Sequence, residues 1–275
     1  MRSTTAASLE CLHPGVNALN ARVVLFDFDG TVSLIRSGWV DVMVPMMVEI
    51  LLDLNTGESE AGLRAIVEEF VGRLTGRQTM YQMIELARQV ALRGGSPLDP
   101  LAYKRMYYDR LSSVIGGRIE ALRAGRVPPD QMMVPGARRL LETLRDRGLE
   151  MYLASGTDQP YMREEARLLD VDRYFDGRVF GALDDYKSFS KKILIQRIIA
   201  GSGFHGGQFL GFGDGYVEIE NVKEVGGAAV GVATDEPLCI RADPVKRGRL
   251  AGAGADWIIP NYNCYDELMA ALFPA

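Results

Sequence analysis

Cysteine is scarce in this sequence: Cys11, Cys239 and Cys264 are the only three in 275 residues. An odd number without metal-ligand spacing offers no disulfide framework and no structural zinc site, and suits a reducing compartment. Histidine is scarcer still, and neither His13 nor His205 has a partner pattern that would give it a role. A basic excess is also missing. Lys and Arg number 31 against 36 Asp and Glu, a formal net charge of −5, which argues against nucleic acid as a partner. A local positive pocket for a small anion remains compatible with that balance. No apolar run reaches the roughly 18 to 20 residues of a membrane span, so no membrane partner is expected. The opening MRSTTAASLECLHPG has no apolar stretch of the kind a secretory signal needs. The expectation is a cytoplasmic protein.

What is present is ordinary for a globular chain: 47% hydrophobic and 24% charged residues, over a length sufficient for one core plus an inserted domain. Residues 1–20 show little periodicity and read as a lead-in. Val23-Val24-Leu25-Phe26 is too short for a helix and rich in strand formers, and Asp27-Phe28-Asp29-Gly30-Thr31 follows at once. Such a run is expected to be a strand buried on both faces. From about Ser37 to Arg126 the spacing becomes helical, punctuated at Asn55-Thr56-Gly57, Thr75-Gly76, Gly94-Gly95-Ser96-Pro97 and Val127-Pro128-Pro129. After Pro135-Gly136, strands alternate with helices: LEMYLAS, QFLGFGD, AAVGVAT and ADWIIP are the clearest strands. The predicted fold is α/β, a doubly wound parallel Rossmann-like sheet with an inserted all-helical domain. Residues 1–36 and 130–275 form the sheet domain, and residues 37–129 the helical one.

In such sheets ligands bind at the carboxyl ends of the strands. The first strand ends in Asp27 and Asp29, whose side chains point to one side because they are two residues apart on an extended chain. Two carboxylates that close repel unless a cation lies between them, and hard oxygen donors in small number favour Mg2+. Thr31 adds a hydroxyl. Ser155-Gly156-Thr157, at the end of a later strand, offers a hydroxyl and free N–H groups for phosphate at a helix start. Gly213-Asp214-Gly215 ends another strand, and Glu218 one turn on is placed to ligate through water or to orient the ligands. A cation for phosphoryl oxygens is expected between these motifs. Ser190 reads as an N-cap, which puts Lys191 on the buried face with Leu194, Ile195 and Ile198, so Lys191 is preferred over Lys187.

The joint order of VVLFDFDGT (Val23–Thr31), LASGT (Leu153–Thr157), a lysine in KSFSKK and GFGDGYVE (Gly211–Glu218) resembles the haloacid dehalogenase superfamily of phosphohydrolases. The resemblance covers residues 21–38 and 134–270, with the helical insert where one subgroup carries its cap. It implies Asp27 as nucleophile, forming an aspartyl-phosphate, and Asp29 as the acid and base that serves leaving group and water. It further implies Mg2+ held by Asp27, the Asp29 carbonyl and Asp214, with Ser155 and Lys191 holding phosphoryl oxygens. Asp29 and Asp214 distinguish the chain from the dehalogenases, which lack the second aspartate and need no metal. Glu218 departs from the aspartate of many relatives, and the lysine lacks the common Lys-Pro pairing.

The expected reaction is hydrolysis of a small phosphorylated metabolite, a sugar phosphate or phosphoglycolate-like acid. A phosphomutase on the same scaffold and a non-catalytic metabolite binder are the alternatives, and the chain is expected to be a monomer or homodimer. Arg36, leaving the first strand, and Arg77 and Gln78, in the polar turn Thr75–Thr79 of the cap, are candidates to meet the substrate's organic part. Gly38 is placed to act as a hinge. Tyr103, Lys104, Arg105, Tyr107 and Tyr108 are expected to be packing and solvated helix face.

Overall fold

The computed structural model describes residues 8–183 and 190–274. Val23–Phe26 forms strand β2 after a two-residue strand β1 (Glu10–Cys11). The alternation of the pleat sends Val24 and Phe26 into one hydrophobic cluster and Val23 and Leu25 into another on the opposite face. All four are buried, which is why the run is continuously apolar. The remaining strands are β3 (Glu150–Asp158), β4 (Val179–Ala182), β5 (Phe209–Gly213), β6 (Ala228–Val232) and β7 (Trp257–Ile259).

The sheet order is β1-β7-β6-β5-β2-β3-β4, and every pair except β1 with β7 is parallel. The chain leaves β2 for β3 and β4 on one side, then crosses back to β5, β6 and β7 on the other. This reversal at β2 opens a crevice at the carboxyl edge, and it makes the fold a doubly wound parallel α/β sheet. The covering helices are α5 (Ala137–Asp146), α6 (Gln159–Leu168), α7 (Lys191–Ser202), α8 (Tyr216–Glu224), α9 (Pro244–Gly252) and α10 (Tyr265–Leu272).

Between β2 and α5 lie α1 (Trp39–Leu52), α2 (Glu60–Arg73), α3 (Thr79–Leu92) and α4 (Pro100–Arg123). Ser59 caps α2 by accepting from the Gly62 N–H at 3.2 Å, and Asp99 with Pro100 opens α4. The methionine-rich stretch of α1 buries Met43, Met46 and Met47 in the core. Among the described residues no helix is long and apolar enough to cross a membrane.

Two elements differ from the sequence reading. Part of the lead-in is ordered, since Glu10 and Cys11 pair antiparallel with Ile258 and Trp257. Two residues are too few for any periodicity to announce them. Helix α9, expected by no periodic pattern, begins where Asp243 accepts from the Lys246 N–H at 2.8 Å and Pro244 takes the first position. That cap was the local signal for it.

Candidate active site

Asp27 and Asp29 follow β2 at the crevice, with fully buried Phe28 pointing the other way between them. The Asp27 N–H donates to the Phe212 carbonyl at 2.9 Å, tying this segment to β5. Gly30 has φ 75°, and a Cβ there would stand 2.3 Å from Asp214 Oδ2. Glycine is therefore what lets the Asp214 carboxylate approach the Asp27 segment.

Ser155 and Thr157 sit opposite. The sequence reading put them at a helix start, but β3 runs on through Asp158, with a register irregularity against β4, and α6 begins only at Gln159. Ser155 Oγ and Thr157 Oγ1 both donate to Asp29 Oδ2 at 2.9 Å, and the Thr157 N–H donates to Ser155 Oγ at 2.9 Å. Thr157 was not singled out from the sequence, although its place in LASGT was the available signal. Asp29 Oδ1 is buried with no hydrogen-bond partner.

Ser190 Oγ accepts from the Ile193 N–H at 3.1 Å, and the cap places Lys191 on the buried face of α7. Lys191 Nζ donates to Asp27 Oδ1 at 2.6 Å and also binds Glu218 Oε1. Burial pushes the Asp27 carboxyl up to about 7 against the opposing pull of Lys191. Lys187 lies outside the described residues. Glu218, expected beside the metal, is fully buried and turns its Oε1 to Lys191. An ammonium within reach satisfies a desolvated carboxylate directly, so Glu218 fixes the lysine instead.

Asp214 has a partner the sequence reading missed. Lys246 Nζ, carried on α9, donates to Asp214 Oδ2 at 2.9 Å and Glu236 Oε1 at 2.8 Å. Burial disfavours the Lys246 charge, but the two carboxylates more than reverse this and hold its pKa above the ordinary lysine value. Five carboxylates (Asp27, Asp29, Asp214, Glu218, Glu236) thus face two ammonium groups (Lys191, Lys246), an excess of three formal negative charges. Among the described residues no three acidic, histidine or cysteine side chains form a complete metal cage. Magnesium asks for less: one or two carboxylates, with other oxygens from water, main chain and substrate. No main-chain N–H among the described residues donates to the Asp29 carbonyl. That open carbonyl, the Asp27 and Asp214 carboxylates and the negative excess fit a divalent cation.

The helical insertion forms the roof of a cavity of about 80 Å³. Asp27, Asp29, Ser155, Lys191 and Asp214 line its floor, and Trp39, Met43, Arg77, Thr79, Gln82 and Tyr107 its upper walls. The turn Thr75-Gly76-Arg77 rests on the floor loops so closely that a Cβ on Gly156 would be 2.7 Å from the Arg77 carbonyl oxygen. A Cβ on Gly215 would be 3.0 Å from Gly76 Cα. Arg77 is exposed at the rim, where its Nε donates to the Tyr216 hydroxyl at 3.1 Å.

Not every candidate faces this cavity. Gln78 is buried and lines the adjoining one with Tyr81 and Tyr216. Thr31 is fully buried, its hydroxyl without a partner. Arg36, expected to reach substrate, does line this cavity, with Nε and Nη2 given to Glu165 through bonds of 2.6, 3.0 and 3.1 Å and Nε 4.0 Å from Asp29 Oδ1. A buried guanidinium needs a counter-charge whether or not substrate is present, and Glu165 on α6 supplies it. Burial lifts Glu165 to about 7 despite Arg36. The tyrosine and lysine face of α4 is also more than solvated surface. Lys104 is buried and donates to Asp158 at 2.5 Å, and Tyr107 opens onto the cavity.

A family model described as a haloacid dehalogenase-like hydrolase matches residues 21–226. No curated protein matches the chain. Among solved structures, one titled a predicted phosphoglycolate phosphatase from Haemophilus somnus superposes with a TM-score of 0.56 at 15% identity, covering 91% of this chain and 98% of the other. A haloacid dehalogenase-like protein from Agrobacterium tumefaciens gives 0.55 at 16%, covering 91% and 98%. A beta-phosphoglucomutase from Clostridium difficile gives 0.51 at 14%, covering 82% and 92%. At these identities the likeness is one of fold.

Proposed function

We propose, from the premise that the chain belongs to the haloacid dehalogenase-like hydrolases, that it hydrolyses a small organic phosphate monoester with the help of magnesium. The observation that carries this reading is a pair of adjacent carboxylates in different settings. Asp27 lies against an ammonium, and Asp29 against two hydroxyls. Neighbouring acids whose surroundings differ in this way suit division between nucleophile and proton carrier. The substrate classes proposed are a sugar phosphate and a phosphoglycolate-like acid.

Lys191 occupies Asp27 Oδ1, which leaves Oδ2 to attack phosphorus. The bond from phosphorus to the ester oxygen breaks, and the leaving alkoxide takes a proton from Asp29. Asp29, protonated at the start, then takes back a proton from the water that attacks the aspartyl-phosphate, and phosphorus–Asp27 cleavage restores the Asp27 carboxylate and the Asp29 acid. Thr157 holds the Asp29 carboxylate in place while the Ser155 hydroxyl turns to a phosphoryl oxygen. Lys191, anchored by Glu218, stays beside the oxygens on which charge develops. Magnesium, held by Asp27, the Asp29 carbonyl and Asp214, supplies neutralisation of the phosphoryl charge when bound. Residues 37–129 act as the cap that excludes water over the core of residues 1–36 and 130–275.

The test is Asp27→Asn, with inorganic phosphate release from an aryl phosphate as the assay. The substitution is expected to abolish release while the cooperative thermal transition persists, and excess chelator is expected to stop the wild-type enzyme. Turnover by the variant would refute the nucleophile assignment, and a full rate in chelator the metal.

A further inference from the structure

The floor of the cavity recognises a phosphate, and its walls carry a different chemistry. Gln82, on α3, is 4% exposed and lines the cavity, and its carboxamide has no hydrogen-bond partner among the described residues. Tyr107, on α4, is 3% exposed, lines the same space, and leaves its hydroxyl equally without one. Polar atoms that meet no protein partner and open onto a cavity are free to bond a ligand there. The carboxamide offers a donor and an acceptor side by side, and an alcohol, itself both, satisfies each. A carboxylate only accepts, so it would leave the carboxamide oxygen unpaired.

The cations of the cavity tell the same story. The Arg36 charge is paired with Glu165 through Nε and Nη2, and Lys191 is shared between Asp27 and Glu218. Arg77 sits exposed at the rim. No buried, uncommitted cation faces the upper part of the cavity among the described residues, and Asp27, Asp29 and Asp214 on its floor disfavour a second anion. Trp39 and Met43 complete the wall with apolar surface suited to the C–H faces of a carbohydrate.

We propose that the organic part of the substrate is uncharged and hydroxyl-bearing, a polyol or sugar, and that Gln82 and Tyr107 are the residues that select it. This rests on the phosphatase reading and chooses between the two substrate classes left open there. The experiment compares kcat/KM for sorbitol 6-phosphate, 2-phosphoglycolate and p-nitrophenyl phosphate in wild type, Gln82→Leu and Tyr107→Phe. Wild type is expected to favour the polyol phosphate over phosphoglycolate at least tenfold. Gln82→Leu should lower the polyol value about tenfold more than the aryl value, the worth of one well-made hydrogen bond. Tyr107→Phe, which removes a single oxygen, should act in the same direction if the leucine variant fails to fold. Preference for phosphoglycolate, or equal losses on polyol and aryl substrates in both variants, would overturn the proposal. Absence of aryl phosphate turnover in wild type would instead refute the phosphatase reading. Calorimetric binding of sorbitol 6-phosphate then decides the inference by itself, equal affinity for wild type and Gln82→Leu overturning it.

Discussion

Removing the Arg36 guanidinium should destabilise the protein in a strongly pH-dependent way. Arg36 and Glu165 are both buried and joined by three short hydrogen bonds, so neither has water to fall back on. Breaking such a pair by deleting one partner costs about 3–5 kcal/mol. At about 2–4 °C per kcal/mol for a chain of this size, Arg36→Met should lower Tm by roughly 10 °C at pH 8. The sign of the pH effect follows from Glu165. Burial, opposed by Arg36, raises its pKa from 4.5 to about 7. The folded state therefore binds this proton more tightly than the unfolded chain, and the stability it contributes is present below pH 4.5 and lost as pH rises through 7. Without Arg36 the folded pKa climbs further, and the loss deepens above pH 7. At pH 5 Glu165 already holds a proton in the folded state, so the variant should lose less than half as much. What remains there is packing, including the contacts of Arg36 with the Tyr108 and Tyr161 rings at 5.8 and 5.7 Å. Thermal unfolding at the two pH values checks this, and the double variant Arg36→Met/Glu165→Leu should recover most of the loss at pH 8. Equal losses at both pH values, or no recovery in the double variant, would refute the reasoning.

Lys246→Met should lower the stability of the chelator-treated protein by about 1–3 kcal/mol, because Asp214 and Glu236 lose their shared ammonium. The variant should then gain more Tm from added magnesium than wild type does, and an identical gain would show that Lys246 does not compete for Asp214. Gly156→Ala would set a methyl 2.7 Å from the Arg77 carbonyl oxygen. Overpacking of this kind costs about 1–3 kcal/mol, and the displaced Thr75–Arg77 turn should raise KM, so unchanged Tm and KM would count against a close-fitting roof.

How much of this was legible in the sequence depends on the range of the interaction concerned. VVLF followed by DFDGT announces a central strand with acids at its end, because strand burial and side-chain alternation are local properties. Lys191 was placed correctly on a buried face from an N-cap and the spacing of Leu194, Ile195 and Ile198, again within one helix. The partner of each charge was not legible. Lys191 meets Glu218 across 27 positions and Arg36 meets Glu165 across 129. Lys246 reaches Asp214 from a helix that no periodic pattern had announced. Only the order of strands in the sheet brings these together, and nothing in the residues flanking Arg36 distinguishes an arginine waiting for substrate from one already paired.

The division between paired and unpaired groups follows from the cost of waiting. An unpaired charge in a desolvated site costs several kcal/mol, whereas an unpaired amide or hydroxyl costs about 1–3. Between turnovers a site can leave its neutral groups unsatisfied far more cheaply than its charged ones. The charges here accordingly come with resident partners: Lys191 with Glu218, Arg36 with Glu165, Lys246 with Glu236. Asp29 and Glu218 each leave one oxygen unpartnered but bond through the other, whereas the side chains that make no hydrogen bond at all among the described residues include Gln82, Tyr107 and Thr31, all neutral. A resident counter-ion holds a charge in position without matching any particular leaving group. Neutral groups kept unsatisfied regain their hydrogen bonds only when a ligand of the right shape and polarity arrives. Selectivity for the organic half of the substrate therefore belongs with the amide and the phenol, and the paired charges supply the field in which the phosphoryl group moves.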